Sequence, residues 1–212
     1  GATITIEQRD ELLDFARRHS LWVITDEVYD RIIYDQPHVS FFGAGYDNVV
    51  MVQSFSKTFA MTGWRMGYVI SSNLEIMSQV QKMQYYITAC SNDAMQYAVL
   101  TAFDEASDYP EQMAKEFQAR RDLICSRLNS MPGVSCHIPK GAFYVFPKVE
   151  VPGMDSQEIA MELLKGGVLS SPGSAFGESG EGHLRFAYTV SRDDISRGMD
   201  KVEAVLKQLR GD

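Results

Sequence analysis

The chain has 212 residues, 20 Lys+Arg against 28 Asp+Glu, a net charge of −8 and 45% hydrophobic content, enough to bury a core as one domain or two small ones. An acidic chain with no Lys/Arg-rich run has no electrostatic footprint for a polyanion, so nucleic acid is not an expected partner. No apolar stretch approaches the roughly 18 residues of a spanning helix, and Glu7, Asp10, Glu11 and Asp14 stand where a signal peptide is apolar, which argues against membrane insertion and secretion.

Thr5-Ile-Glu-Gln8 has capping-box spacing, and Leu12, Leu13, Phe15 and Ala16 supply an apolar face, which predicts a helix over Thr5–His19. Leu21–Thr25 is a short β-rich run ending in Asp26-Glu27, and Val49–Val52 is a second run ending in Gln53-Ser54. Their near-continuous apolar character predicts strands covered on both faces. Met66–Ile70 reads as a third strand, followed by helices over Leu74–Thr88 and Asp93–Glu105, and the alternation predicts an α/β fold.

Asp108-Tyr-Pro110 places a cap ahead of a first-turn proline, and the helical pattern runs from there to Ser130, where Met131-Pro-Gly133 stops it. Beyond this connecting helix, short strands are expected at Val134–His137, Ala142–Phe146, Val168–Ser170 and Leu184–Thr189, with helices near Asp155–Lys165 and Asp193–Leu209. That pattern describes a small α+β unit. Gly177–Gly182 reads as a polar, flexible loop. The cysteines, Cys90, Cys125 and Cys136, are far apart with no Cys-x-x-Cys, so reduced thiols in a cytoplasm are expected. His19, His38, His137 and His183 have no metal-ligand spacing to another His or Cys; they read as surface or satisfied structural residues, and no metal is expected.

Two positions stand out chemically. Asp26 lies at the carboxyl end of a strand, the edge at which open α/β sheets bind ligands, where its carboxylate either faces a cation or caps the turn beyond it. Lys57, in Ser54-Phe-Ser-Lys57, follows the second strand at the equivalent edge, with Arg65 eight residues on. A lysine there is either solvated or, if held neutral, a nucleophile toward a carbonyl.

Read together, the segments carry a resemblance. Ser54-Phe-Ser-Lys-Thr-Phe-Ala-Met-Thr-Gly-Trp-Arg-Met-Gly-Tyr68 resembles the cofactor-lysine segment of class I/II aminotransferases, the pyridoxal-phosphate enzymes of fold type I. Asp26-Glu-Val-Tyr29, Pro139-Lys-Gly-Ala-Phe-Tyr-Val-Phe-Pro147 and His183-Leu-Arg-Phe-Ala-Tyr188 occur in that family's order, and the Phe-Ala-Met-Thr-Gly-Trp-Arg stretch is most similar to the bacterial aspartate aminotransferase branch. The resemblance implies that residues 1–110 are the carboxyl-terminal part of the cofactor-binding large domain, with a mostly parallel sheet, and that 111–212 are the connecting helix and the small α+β domain. It implies that Lys57 forms the Schiff base with the cofactor aldehyde and later shuttles a proton, that Asp26 pairs with the pyridine nitrogen, and that Tyr29 bonds the phenolic oxygen. Ser54, Ser56 and Arg65 then hold the phosphate, and Arg185 grips the substrate α-carboxylate through a planar fork that lysine cannot reproduce.

The function so implied is transfer of an amino group from an amino acid to a 2-oxo acid by a cytoplasmic homodimer. A carbon–sulfur lyase or cyclopropane-forming synthase would use the same residues, and an aminotransferase-like ligand-sensing domain of a transcription regulator is the alternative from another class. Gly1 corresponds to the end of the family's Asn-Pro-Thr-Gly turn, so a carboxyl-terminal fragment is expected. The 212 residues by themselves are then expected to bind cofactor weakly, to turn over poorly, and to expose strand edges at Leu21 and Val49.

Overall fold

In the computed structural model, which describes residues 1–211, helix α1 (Ile6–Arg18) begins at the expected capping box. The Thr5 hydroxyl accepts from Gln8 N–H at 3.2 Å, and the Gln8 side chain accepts from Thr5 N–H at 2.9 Å, so two otherwise orphaned donors are satisfied reciprocally. The helix buries Leu13 and Ala16. The chain divides into two units, Ala2–Ala114 and Lys115–Asp212 with Gly1.

The first unit is built on a three-stranded sheet in the order β1 (Val23–Asp26), β2 (Val49–Ser54), β3 (Gly67–Ile70). β1 and β2 are parallel with Asp26 opposite Val52, and β3 returns antiparallel with Gly67 opposite Ser54. The expectation of strands covered on both faces holds for β2, whose Val49, Val50 and Met51 are buried, and fails for β1. Ile24 is 74% exposed while Thr25 is buried, because β1 is an edge strand and alternates. The strand at Val49 is correspondingly no edge, since β3 pairs along its second side.

A one-turn helix, α2 (Phe55–Thr58), follows β2 directly, and a 3₁₀ turn at Thr62–Trp64 leads into β3. Helices α3 (Leu74–Thr88) and α4 (Asp93–Glu105) match the predicted spans and start on Asn73 and Asn92, whose side chains accept the N–H of Ile76 and Met95. α4 packs through Val99 on Phe55 and Met66, and Phe103 meets the Phe55 ring edge-on at 5.5 Å. α3 buries no residue, and its Tyr85, Tyr86 and Ile87 are exposed.

Helix α5 (Tyr109–Asn129) carries the chain into the second unit. There β4 (Val134–Ser135) pairs with β6 (Lys148–Val149), and β8 (Leu184–Ala187) lies between β5 (Tyr144–Val145) and β7 (Ser171–Pro172). α6 (Ser156–Lys165) and α7 (Arg192–Arg210) pack on this unit, α7 burying Ile195, Met199, Val202 and Leu206 at helical spacing. Two expectations shift here. The strand predicted at Val168–Ser170 forms at Ser171–Pro172, because Gly166 and Gly167 close α6 and the chain needs the following residues to return. The loop Gly177–Gly182 contains a 3₁₀ turn at Glu178–Gly180, and it is tied down: the Glu181 carboxylate accepts from the Ser156 amide at 2.7 Å and from its hydroxyl at 2.9 Å.

At the β2–β3 seam a Cβ on Gly67 would stand 2.6 Å from the Gln53 carbonyl oxygen, so only glycine lets the two backbones meet. Gly67→Ala is expected to lower stability by about 1–3 kcal/mol, seen as a lower urea midpoint. Gly63→Ala, with nothing within 4 Å of the added methyl, leaves the midpoint where it was.

Candidate functional site

The parallel register of β1 and β2 and the antiparallel return of β3 bring three chain ends to one edge of the sheet. Asp26 ends β1 there, Ser54 ends β2, Lys57 stands in the turn of helix after it, and Arg65 precedes β3. Asp26 is exposed, and one oxygen accepts from Val28 N–H at 3.3 Å, so it does cap its turn. Among the described residues no cation pairs with its carboxylate. Tyr29, three residues on, is half-buried in the same turn.

Ser54 is the N-cap of α2: its hydroxyl oxygen accepts from Ser56 N–H at 3.1 Å and its proton goes to the Met66 carbonyl at 3.3 Å. Lys57 is half-buried rather than a solvated loop lysine. Arg65 has φ +56°, a left-handed conformation that costs a non-glycine residue about 1–2 kcal/mol. Its guanidinium donates to the Thr62 carbonyl at 3.0 Å, and the Thr62 hydroxyl donates to the Ser56 carbonyl at 3.1 Å. Arg65 is thereby tied, through Thr62, to the turn that carries Lys57. With that bond used, the fork is exposed and meets no carboxylate among the described residues.

Behind this edge lies a residue that sequence reasoning passed over. Glu27, next to Asp26, is buried, and its carboxylate takes hydrogen bonds from His38 Nε2 at 2.6 Å, the Ser40 hydroxyl at 3.1 Å, the Phe41 amide at 3.1 Å and the Thr25 hydroxyl at 3.2 Å. Its own backbone N–H donates to Val52, and its carbonyl accepts from the buried Gln53 amide at 2.8 Å. Burial pushes the Glu27 carboxyl up, but the bonds from His38, Ser40 and Phe41 outweigh it and hold the group below the ordinary Glu range. His38 is thus the satisfied structural histidine expected of it. A carboxylate followed eleven residues later by histidine has no recognisable spacing, which is why only the fold reveals the pair.

Ser54 also borders a cavity of about 240 Å³ walled by Phe55, Phe59, Tyr68 and Phe103. Asp30 lines it too, and its Oδ1 atom is buried without a hydrogen-bond partner among the described residues.

In the second unit, Arg185 sits on the central strand β8 opposite Ser171. Its guanidinium carbon is 4.7 Å from the centre of the Tyr144 ring and 4.5 Å from that of Phe176, with Ser171 Oγ at 3.4 Å. The two rings hold the fork by cation–π attraction, and no carboxylate among the described residues pairs with it.

The model of the family described as aminotransferase class I and II matches residues 1–202. The chain belongs to the class I and II aminotransferases. It is 38% identical to an aspartate aminotransferase of Pyrococcus abyssi over 99% of this chain and 55% of that protein, and 35% identical to aromatic-amino-acid aminotransferase 2 of Thermococcus litoralis over the same shares. The structure of an aromatic aminotransferase from Pyrococcus horikoshii superimposes with a TM-score of 0.91 and 38% identity, covering 98% of this chain and 57% of that one. The chain therefore spans about half the length of the curated relatives it matches, and it has the fold type I architecture of these enzymes. Aminotransferases of this class use pyridoxal phosphate. The donor set at the sheet edge suits that group: one carboxylate for a protonated ring nitrogen, one amine for an aldehyde, and a fork with hydroxyls for a phosphate.

Because the folded Glu27 has a depressed pKa, the stability it contributes is present above the unfolded Glu value of 4.5 and is lost as the pH falls through the folded one. Glu27→Gln is expected to cost about 2–4 kcal/mol at pH 7. In urea titrations the gap between the variant and the parent should narrow steadily below pH 4.5.

Proposed function

We propose that this chain supplies the lysine-bearing part of a pyridoxal-phosphate-dependent aminotransferase that moves an amino group from an amino acid to a 2-oxo acid. The observation that carries this reading is the sheet edge where Asp26, Lys57 and Arg65 are gathered, with no opposing charge on Asp26 or Arg65 among the described residues. Residues 1–110 belong to the cofactor-binding large domain, and 111–212 form the connecting helix and small domain; the division of the chain near Ala114 supports this. The working protein is a cytoplasmic homodimer, and the exposed Tyr85, Tyr86 and Tyr97 of α3 and α4 are surface for a subunit contact.

The bound cofactor supplies an electron sink for the pair of electrons left when the substrate Cα loses its proton. The Asp26 carboxylate would pair with the protonated ring nitrogen and so keep that sink open. Tyr29 would donate to the phenolic oxygen, and Arg65, Ser54 and Ser56 would hold the phosphate, Ser54 turning its proton away from the Met66 carbonyl to do so. Lys57 would be the amine that holds the cofactor through its aldehyde, and its amino group would move the proton taken from the substrate Cα. Arg185, pre-set between Tyr144 and Phe176, receives the substrate α-carboxylate in a bidentate way at little entropic cost.

Reduction of the protein with borohydride in pyridoxal phosphate is expected to place the pyridoxyl mass on Lys57. Trypsin then fails at that lysine, and residues 32–65 appear as one labelled peptide. Label confined to Lys82 or Lys140 overturns the assignment. In the full-length protein, Arg185→Lys should lower kcat/KM for the amino acid by about 100-fold while cofactor absorbance at a given concentration is retained; an unchanged kcat/KM would leave Arg185 a structural residue.

A further inference from the structure

Cys125 and Cys136 are far from any group invoked above by sequence, yet the fold of the second unit puts their sulfurs 3.9 Å apart. Cys125 lies on α5, and Cys136 follows β4. Two buried thiols can be mere core filler, but this pair is held in place. Asn129, one turn beyond Cys125 on α5, grips the backbone of Cys136 from both sides: its Nδ2 donates to the Cys136 carbonyl at 2.9 Å, and its Oδ1 accepts the Cys136 N–H at 2.7 Å. The side chain of Cys136 is thereby aimed at Cys125, with the buried Arg121, which donates to the Pro139 carbonyl at 3.2 Å, adding a positive charge beside the sulfurs.

We propose that Cys125 and Cys136 form a dithiol modification site, which a two-electron oxidant of the peroxide class converts to an intrachain disulfide joining α5 to the chain after β4. An S–S bond is about 2.05 Å long, so the sulfurs must close by roughly 1.9 Å from their 3.9 Å separation, a movement within reach of side-chain rotation. The hydrogen bond from the Cys125 thiol pushes the Cys136 thiol down, and that bond together with burial pushes the Cys125 thiol up. Cys136 is therefore the attacking sulfur; it is 7% exposed against 2% for Cys125.

The chemistry balances without further partners. The Cys136 thiolate attacks one peroxide oxygen, the O–O bond breaks, and the leaving hydroxide takes up a proton to become water, leaving a sulfenic acid. Cys125 sulfur then attacks the Cys136 sulfur, the S–O bond breaks, and the hydroxide leaves with the Cys125 proton as a second water. The two sulfurs together lose two electrons and the peroxide gains them. Cys90 is exposed and is the one cysteine of residues 2–114, the other unit.

The test uses the 212-residue chain carrying Cys90→Ser, treated with a small excess of hydrogen peroxide, denatured, alkylated with iodoacetamide and digested with trypsin. Cys125 and Cys136 fall on separate peptides, residues 122–127 and 128–140. The expected result is a single linked species two hydrogen masses below their sum, absent without peroxide and split by dithiothreitol, with the thermal midpoint of the oxidised chain raised by about 5–10 °C. Recovery of both peptides alkylated, oxidation to sulfinic acid without a link, or links only between chains on a non-reducing gel would each overturn the proposal.

Discussion

One buried carboxylate sets the geometry on which the candidate site depends. Glu27 is removed from water and takes bonds from Thr25, His38, Ser40 and Phe41, so the loop between β1 and β2 is wrapped around it. Its backbone is meanwhile locked to β2 through Val52 and the Gln53 side chain. A buried charge is tolerable only when its lone pairs are filled, and here the filling groups come from two separate stretches of chain, Thr25 and residues 38–41. The residue on one side of this anchor is Asp26, and the turn on the other carries Tyr29. Rigid support is what allows an exposed carboxylate to keep one position without a cation to hold it.

The same economy of support recurs at the two arginines. Arg65 accepts a left-handed backbone so that its fork can close on the Thr62 carbonyl, and Thr62 in turn reaches the Lys57 turn through Ser56. Strain of this kind persists where the surrounding bonds over-determine it, and such places gather at functional sites. Arg185 is held differently, between two rings. Aromatic faces stabilise a cation without spending the planar edge through which it binds an oxyanion, so the side chain is oriented before any ligand arrives.

Much of the fold was readable wherever a local rule coincided with the global one. The reciprocal cap at Thr5 and Gln8 and the spans of α3, α4 and α7 each depend on residues within a few positions of one another, and they appear at or next to the predicted places. Errors fell where the outcome depended on distant chain. Whether β1 is covered on both faces is a matter of what packs on it, not of its four residues. Val168–Ser170 is β-prone, yet pairing with β8 begins three residues later because the glycine turn after α6 sets where the chain comes alongside. The loop of glycines at Gly177–Gly182 looked mobile in composition, and it is pinned by Glu181 reaching back to the start of α6.

The sequence by itself determined the family, because the motif around Lys57 and the order of Asp26, Lys57 and Arg185 along the chain are matters of residue type and spacing. Chemistry carried by a short segment survives translation from one dimension to three. Tertiary structure alone decided which side chains are neighbours across long separations: the carboxylate of Glu27 on His38, the fork of Arg185 between Tyr144 and Phe176, and the sulfurs of Cys125 and Cys136. The physical reason is that these contacts are fixed by strand register and helix packing, which sum over many residues, so no local pattern records them.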